Sequence, residues 1–460
     1  MKPMPLLIAI VLLAILGGVV YYSEEHPPEA EDAKVKVVDL KQDDIQAITV
    51  KRPGKDPLTV RRGEDKEWKF AEPLSMKVDG FAAETLLASL TPMSADRVVE
   101  ENVADWTPYG LTGDGTLRVT VEAKEGKSYQ ILFGKDTPTG SAVYARLEGD
   151  PRLFTLFSHL KTGFEKEAFD LRDKKLLDVD QSAISRVILK NGPQVLEFGK
   201  SGDDKWQILR PKPLRADNFT VGDLARSAAN AEMVSVLSEG EAPAKEFSAA
   251  RPFASVEVTD QDGVHTITVA KRGEDSYFAM SSDLPNGVYE VAKTFAEGLN
   301  KQLADFRNKK LFDFGFQDPK QLELRNGETR LTIAKKDDKW VAASDGDREL
   351  DSAKVQAVID SLRNLTARGF ASDEAAEQSK FGLGAPEIEA TVTPSEEGKQ
   401  QEKAAISSTE KERVYAAIPG SPTTYELEMS AVQEIQRSIV EVLKPTEPPP
   451  PAENGQPEAK

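Results

Sequence analysis

The chain of 460 residues has no cysteine at all. That excludes disulfides, zinc–thiolate centres, thiol catalysis and a lipid-modified cysteine anchor. Histidine is nearly as scarce. His26, His159 and His265 are the three, and none belongs to an H-x-x-x-H or H-E-x-x-H ligand spacing. Positive charge is in deficit too: 59 Lys and Arg stand against 77 Asp and Glu, a net charge of −18. Such a balance argues against nucleic acid and anionic lipid surfaces as partners, because both need a cationic face.

Catalytic signatures are missing as well. No G-x-S-x-G elbow occurs. Gly126-Lys127-Ser128 ends like a phosphate loop, but Val121 stands where that loop needs its first glycine. Ser158-His159-Leu160-Lys161 fits S-x-x-K and Lys161-Thr162-Gly163 fits K-T-G. The two share Lys161, so they cannot be the separate elements of a penicillin-interactive site. The acidic stretches Asp203-Asp204, Asp260-Gln261-Asp262-Gly263 and Asp345-Gly346-Asp347 lack the set positions and closing glutamate of a calcium loop. Asp and Gly are what hairpin turns require. The sequence therefore assigns no catalytic, cofactor-binding or metal-ligating residue, calls for no cofactor, and reads as a non-enzyme.

What is present is a repeat. Trp68, Trp206 and Trp340 stand 138 and 134 positions apart. Eleven positions after each comes an aspartate: Asp79, Asp217 and Asp351. Apolar residues follow at i, i+3, i+4 and i+7. They are Ala83, Leu86, Leu87 and Leu90; Val221, Leu224, Ala225 and Ala228; Val355, Val358, Ile359 and Leu362. This is one face of a helix, and each aspartate is placed to cap its first free N–H groups. The tryptophans are expected in the core beneath those helices. Exposed, they would be stacking platforms for carbohydrate.

Short runs of alternating apolar residues surround each helix, such as 117–121, 129–133 and 265–269, and predict antiparallel hairpins. The Asp262-Gly263 pair is a tight hairpin signal between two of them. Strands gathered around a covering helix predict an α+β fold. Asp170-Leu171-Arg172-Asp173-Lys174-Lys175-Leu176-Leu177-Asp178 closes the first unit, and Asp305-Phe306-Arg307-Asn308-Lys309-Lys310-Leu311-Phe312-Asp313 the second. Their basic residues read as junctions with solvated heads. The third unit has Ser438-Ile439-Val440-Glu441-Val442-Leu443-Lys444 instead, as suits a last repeat with no neighbour. The units are 44–178, 179–313 and 314–444.

Residues 4–22 carry no charge. At ~1.5 Å per residue this run would span roughly 28 Å as a helix, about one bilayer core. Lys2 precedes it; Glu24, Glu25, Glu29, Glu31 and Asp32 follow. The positive-inside rule then leaves residues 1–3 in the cytoplasm and exports the rest across the inner membrane. Tyr21-Tyr22-Ser23-Glu24-Glu25 is a poor cleavage site, so the run is expected to stay as an anchor. A linker at 23–43 joins it to the first unit. From 445 to 460 the chain is proline-rich, with Pro448 to Pro451 consecutive, and is expected to be a disordered tail.

The order Trp68, Phe70, Pro73, Asp79, then Tyr109-Gly110-Leu111, Ile131-Leu132-Phe133-Gly134 and Val143-Tyr144-Ala145-Arg146 resembles the domain of unknown function 4340 family. Pro211 and Asp217 extend the likeness into the second unit. Asp351, Phe381-Gly382-Leu383 and Val414-Tyr415-Ala416 extend it into the third. Unit two lacks the aromatic-Gly-Leu step and unit three lacks the proline. The resemblance implies an accessory role beside ABC transporters of the gliding-motility type. Three functions are carried forward. The first is a periplasmic scaffold or binding component of such a membrane complex. The second is a binder of envelope polysaccharide or peptidoglycan. The third is a hydrolase built on carboxylates that distant segments bring together.

Overall fold

The computed structural model describes residues 35–71, 76–202, 204–239, 247, 251–410 and 412–445. The uncharged run 4–22, His26, Pro73, Asp203 and the proline-rich tail from 446 on lie outside them. Among the described residues no helix is long and apolar enough to cross a membrane. The described chain is α+β, with antiparallel sheets and few helices. Its contacts form two compact units, one ending at Lys175 and one beginning at Leu176. The first holds repeat one; the second holds repeats two and three.

Alternation in the sequence becomes sheet directly. In the strand Leu117–Ala123 every second residue is buried, so Leu117, Val119 and Val121 share the core face. In repeat one, Ile45–Lys51, Leu58–Arg62 and Trp68–Phe70 meander outward from the middle of the sheet. The helix Gly80–Leu90 then leads to Arg97–Glu100, which lies at the opposite edge. The chain returns to pair Leu117–Ala123 with Ile45–Lys51 and meanders until Leu153–Phe157 meets that edge strand. Repeats two and three follow the same strand order. Each has nine strands instead of eight, adding the two-residue edge strands Leu214–Arg215 and Arg348–Glu349.

One segment differs from its sequence reading. Part of the expected linker is structured: Lys36–Val38 pairs with Met93–Ser94, and Val37 and Val38 join the repeat-one core. The hairpin at Asp262-Gly263 turns through a four-residue loop, 260–263, with Thr259 paired to Val264. The Asp260 carboxylate holds that loop by accepting from the N–H groups of Asp262 and Gly263, at 2.9 and 3.2 Å.

All three helices follow the spacing. Gly80–Leu90, Asn218–Ala229 and Ser352–Arg363 bury every apolar residue the ruler marks. Asp79 accepts from Ala82 N–H and Asp217 from Thr220 N–H, both at 2.8 Å. Asp351 accepts from Ala353 and Lys354 N–H, at 2.8 and 3.1 Å. Each carboxylate satisfies donors that have no partner inside the helix. Asn accepts in the same geometry. Asp217→Asn is therefore expected to leave the melting curve nearly unchanged, while Asp217→Ala lowers stability by about 1 kcal/mol. Thermal unfolding of the two variants checks this.

The closing motif is a clasp with two halves. In the second unit, Ala216 bridges Arg307, and Asp217 N–H donates to Phe306 O at 2.8 Å. The other half reaches into repeat three: Leu311 N–H donates to Leu365 O, and Leu311, Phe312 and Phe314 enter that repeat's core. Repeat one uses its first half likewise, with Val78 bridging Arg172. In the second unit Leu176 N–H donates to Ala231 O, the position matching Leu365. Repeat three ends differently. The helix Met429–Leu443 takes the motif's place, buries Val432, Ile435, Ile439 and Val442, and packs along Ser352–Arg363. That helix closes the core of repeat three from within the repeat.

Candidate functional site

The residues that mark the repeat lie in the framework. Trp68, Trp206 and Trp340 are 9%, 8% and 5% exposed. The aromatic-Gly-Leu steps end short 3-10 turns. Gly110 and Gly382 adopt the left-handed conformation, at φ 69° and 81°, and their N–H groups return to Thr107 O and Ser379 O. Tyr109 rests on Tyr144 and Phe381 on Tyr415, with ring centroids 5.1 and 4.8 Å apart. The Val-Tyr-Ala motif is thus the seat for the aromatic-Gly-Leu motif. Gly134 completes it, since a Cβ there would stand 2.2 Å from Tyr109 O.

The other residues singled out in the sequence are dispersed. Gly126-Lys127-Ser128 lies in a hairpin turn, where Ala123 N–H donates to Lys127 O. Lys161 donates to Gly134 O at 3.1 Å from the short helix Ser158–Phe164. His159 is exposed and stacks on Phe157. Asp204 pairs with Lys200, and Asp345 and Asp347 pair with Arg348 and Lys336. Among the described residues no group of three or more His, Asp or Glu side chains is placed to hold a metal ion.

One polar cluster escaped the sequence reading. His265 sits between two carboxylates, with Nδ1 2.8 Å from Asp283 and Nε2 3.3 Å from Asp260. Those same carboxylates hold the start of repeat two. Asp283 accepts from Asp178 N–H at 2.8 Å and Asp260 from Asp180 N–H at 3.2 Å. Burial disfavours the imidazolium, but the hydrogen bond to Asp283 and the charges of Asp283 and Asp260 outweigh it, so the pKa is raised. A raised pKa in the folded state means stability that is complete below the ordinary histidine value, about 6.5, and lost as pH rises through the folded value. The melting temperature of the second unit is therefore expected to step down as pH is raised above about 6.5, and His265→Gln should remove that step. A pH series of thermal melts on both proteins measures it.

Repeats two and three meet at a buried ion pair. Arg307, 7% exposed, grips Asp373 through both terminal nitrogens and donates to Thr423 Oγ1 at 3.2 Å. Its guanidinium lies 3.5 Å from the centre of the Phe370 ring. Lys212 adds a second cation 3.8 Å from Asp373 and bonds Glu374 at 3.3 Å. The expectation of solvated junction heads holds for Lys175, Lys309 and Lys310 and fails for Arg307 and Arg172, which are buried. A remote carboxylate, Asp373, makes the burial of Arg307 possible.

Between the same two repeats opens a cleft of about 950 Å³. Lys205, Arg215, Lys399 and Lys403 line it, with Asp313 and Glu402. In a chain of net charge −18 its walls carry four cations against two carboxylates. Arg215 is fixed by donating to Lys310 O at 2.9 Å. Burial pushes the Glu402 pKa up, and its carboxylate accepts the Asp313 N–H. Leu214, Ile418 and Trp206 supply apolar wall. Charged heads around an open polar groove are suited to holding a ligand.

No curated protein matches the chain, and no solved structure does. The family model described as "Domain of unknown function (DUF4340)" matches residues 68–213, 206–386 and 340–446. The three matches begin at Trp68, Trp206 and Trp340, the residues from which the repeat is measured. The chain belongs to the DUF4340 family and carries its domain three times over.

Proposed function

We propose that this chain is a non-enzymatic, membrane-anchored protein of the periplasmic face that serves as a scaffold or binding component of an ABC-type membrane complex. One observation carries the reading: the residues that recur in every repeat are spent on architecture. The tryptophans are buried and the aspartates cap helices. A catalytic group kept in three copies would be expected among them. What the repeats leave for function is surface, and the cleft between repeats two and three is an opening in it of about 950 Å³. The uncharged run 4–22, followed by acidic residues, supports the anchor and its orientation. The family resemblance supports the ABC-type neighbour.

Two experiments test this. The chain should stay with membranes after a carbonate wash and keep residues 4–22; amino-terminal sequencing that starts beyond Tyr22 would remove the anchor. Purified in detergent, it should bring down integral membrane subunits with a nucleotide-binding partner. Recovery of the chain alone under gentle solubilisation would remove the complex. A role in binding envelope polysaccharide or peptidoglycan stands second, because it needs open faces on the repeat tryptophans, and Trp68, Trp206 and Trp340 are covered.

A further inference from the structure

We propose that the cleft between repeats two and three binds an extended, acidic peptide segment of a partner protein. The proposal deepens the binding role above and rests on it.

Charge is the first argument. The protein as a whole repels acidic partners, yet four cations line this cleft with two carboxylates; Lys399 also pairs with Glu396 at 2.6 Å, so part of its charge is met within the chain. The cations come from both sides of the cleft: Lys205 and Arg215 from repeat two, Lys399 and Lys403 from repeat three. A ligand that bridges them is held by both repeats. Arg215 is anchored through Lys310 O, so its charge is presented from a fixed position and little side-chain entropy is lost on binding. Focused positive potential in a negative molecule also steers an acidic ligand to one place.

The wall chemistry is the second argument, and it separates peptide from anionic polysaccharide. A sugar polymer wants aromatic faces to stack on. The one aromatic here, Trp206, is 8% exposed, with Lys200 5.5 Å from its ring centre. The cleft instead offers Leu214 and Ile418 beside the carboxamides Gln207, Gln400 and Gln401. Apolar spots take side chains, and carboxamides both donate to and accept from a peptide main chain. An acidic segment with interspersed aliphatic residues uses all three kinds of wall.

The test uses the full chain in detergent and a fluorescein-labelled decapeptide of alternating Glu and Leu, read by anisotropy. Its Gln–Leu counterpart and hyaluronate serve as competitors. We expect the Glu–Leu peptide to bind at least ten-fold more tightly than Gln–Leu, and its affinity to fall as salt rises. K399E with K403E should weaken it ten-fold or more while melting stays unchanged, since both side chains lie at the surface; the single variants, each weaker than wild type, guard against misfolding of the double. Hyaluronate should compete poorly. Equal binding of both peptides, indifference to charge reversal, no binding of Glu–Leu, or tighter binding of hyaluronate would each overturn the assignment. Co-purification of membrane subunits is scored separately. If it persists while the peptide fails, the scaffold role stands and the cleft assignment falls.

Discussion

Arg307→Ala is expected to destabilise the unit formed by repeats two and three by about 3–5 kcal/mol. The substitution leaves Asp373 half-buried, 15% exposed at its side chain, without the guanidinium that grips it and with Lys212, 3.8 Å away, as its remaining cation. It also strips the cation from the face of Phe370 and a donor from Thr423. A loss of that size is a large part of the roughly 5–15 kcal/mol that holds a domain together. The cause can be isolated. Replacing both partners, Arg307→Met with Asp373→Leu, removes the unpaired charge and should recover most of the stability, as apolar substitution of buried pairs does. Denaturant unfolding of the three proteins makes the comparison. An alanine variant as stable as the parent would mean that the ion pair is not what locks the two repeats together.

Trp340→Ala should cost about 3–5 kcal/mol in repeat three, as truncation of a large core residue does. Trp340 is 5% exposed and belongs to one cluster with Val355, Val358 and Ile359 of the covering helix. Its removal leaves a cavity between sheet and helix that neither can collapse into. Loss of a binding activity without loss of stability would instead make the tryptophan a contact residue, and the same comparison applies to Trp206 at the cleft edge.

How much of this was legible in the sequence follows from range. The helix face through Val355, Val358, Ile359 and Leu362 and its Asp351 cap are local features, written within twelve residues, and the structure follows them. Period-two strands were equally local. Strand order was not, because the pairing of Gln321–Asn326 with Ile388–Thr393 is settled by packing and not by either segment. The same limit hid the sites. Asp260 was legible as a turn residue, and it is one; its second role needs Asp180 and His265, which other strands bring. Arg307 looked like a solvated head because its neighbours in sequence are Asn308 and Lys309, while its partner Asp373 is remote. The cations of the cleft come from two repeats, so no window of sequence contains them.

The central claim is that the recurring residues build the repeats and do not carry the activity. Its most direct test is a triple variant, Asp79→Asn, Asp217→Asn and Asp351→Asn, purified in detergent beside the parent, with membrane partners quantified and melting recorded on both. Asparagine keeps the cap and removes the charge. Equal partner recovery and equal melting are the predicted result. Partner loss at unchanged melting would place function on the aspartates and contradict the account.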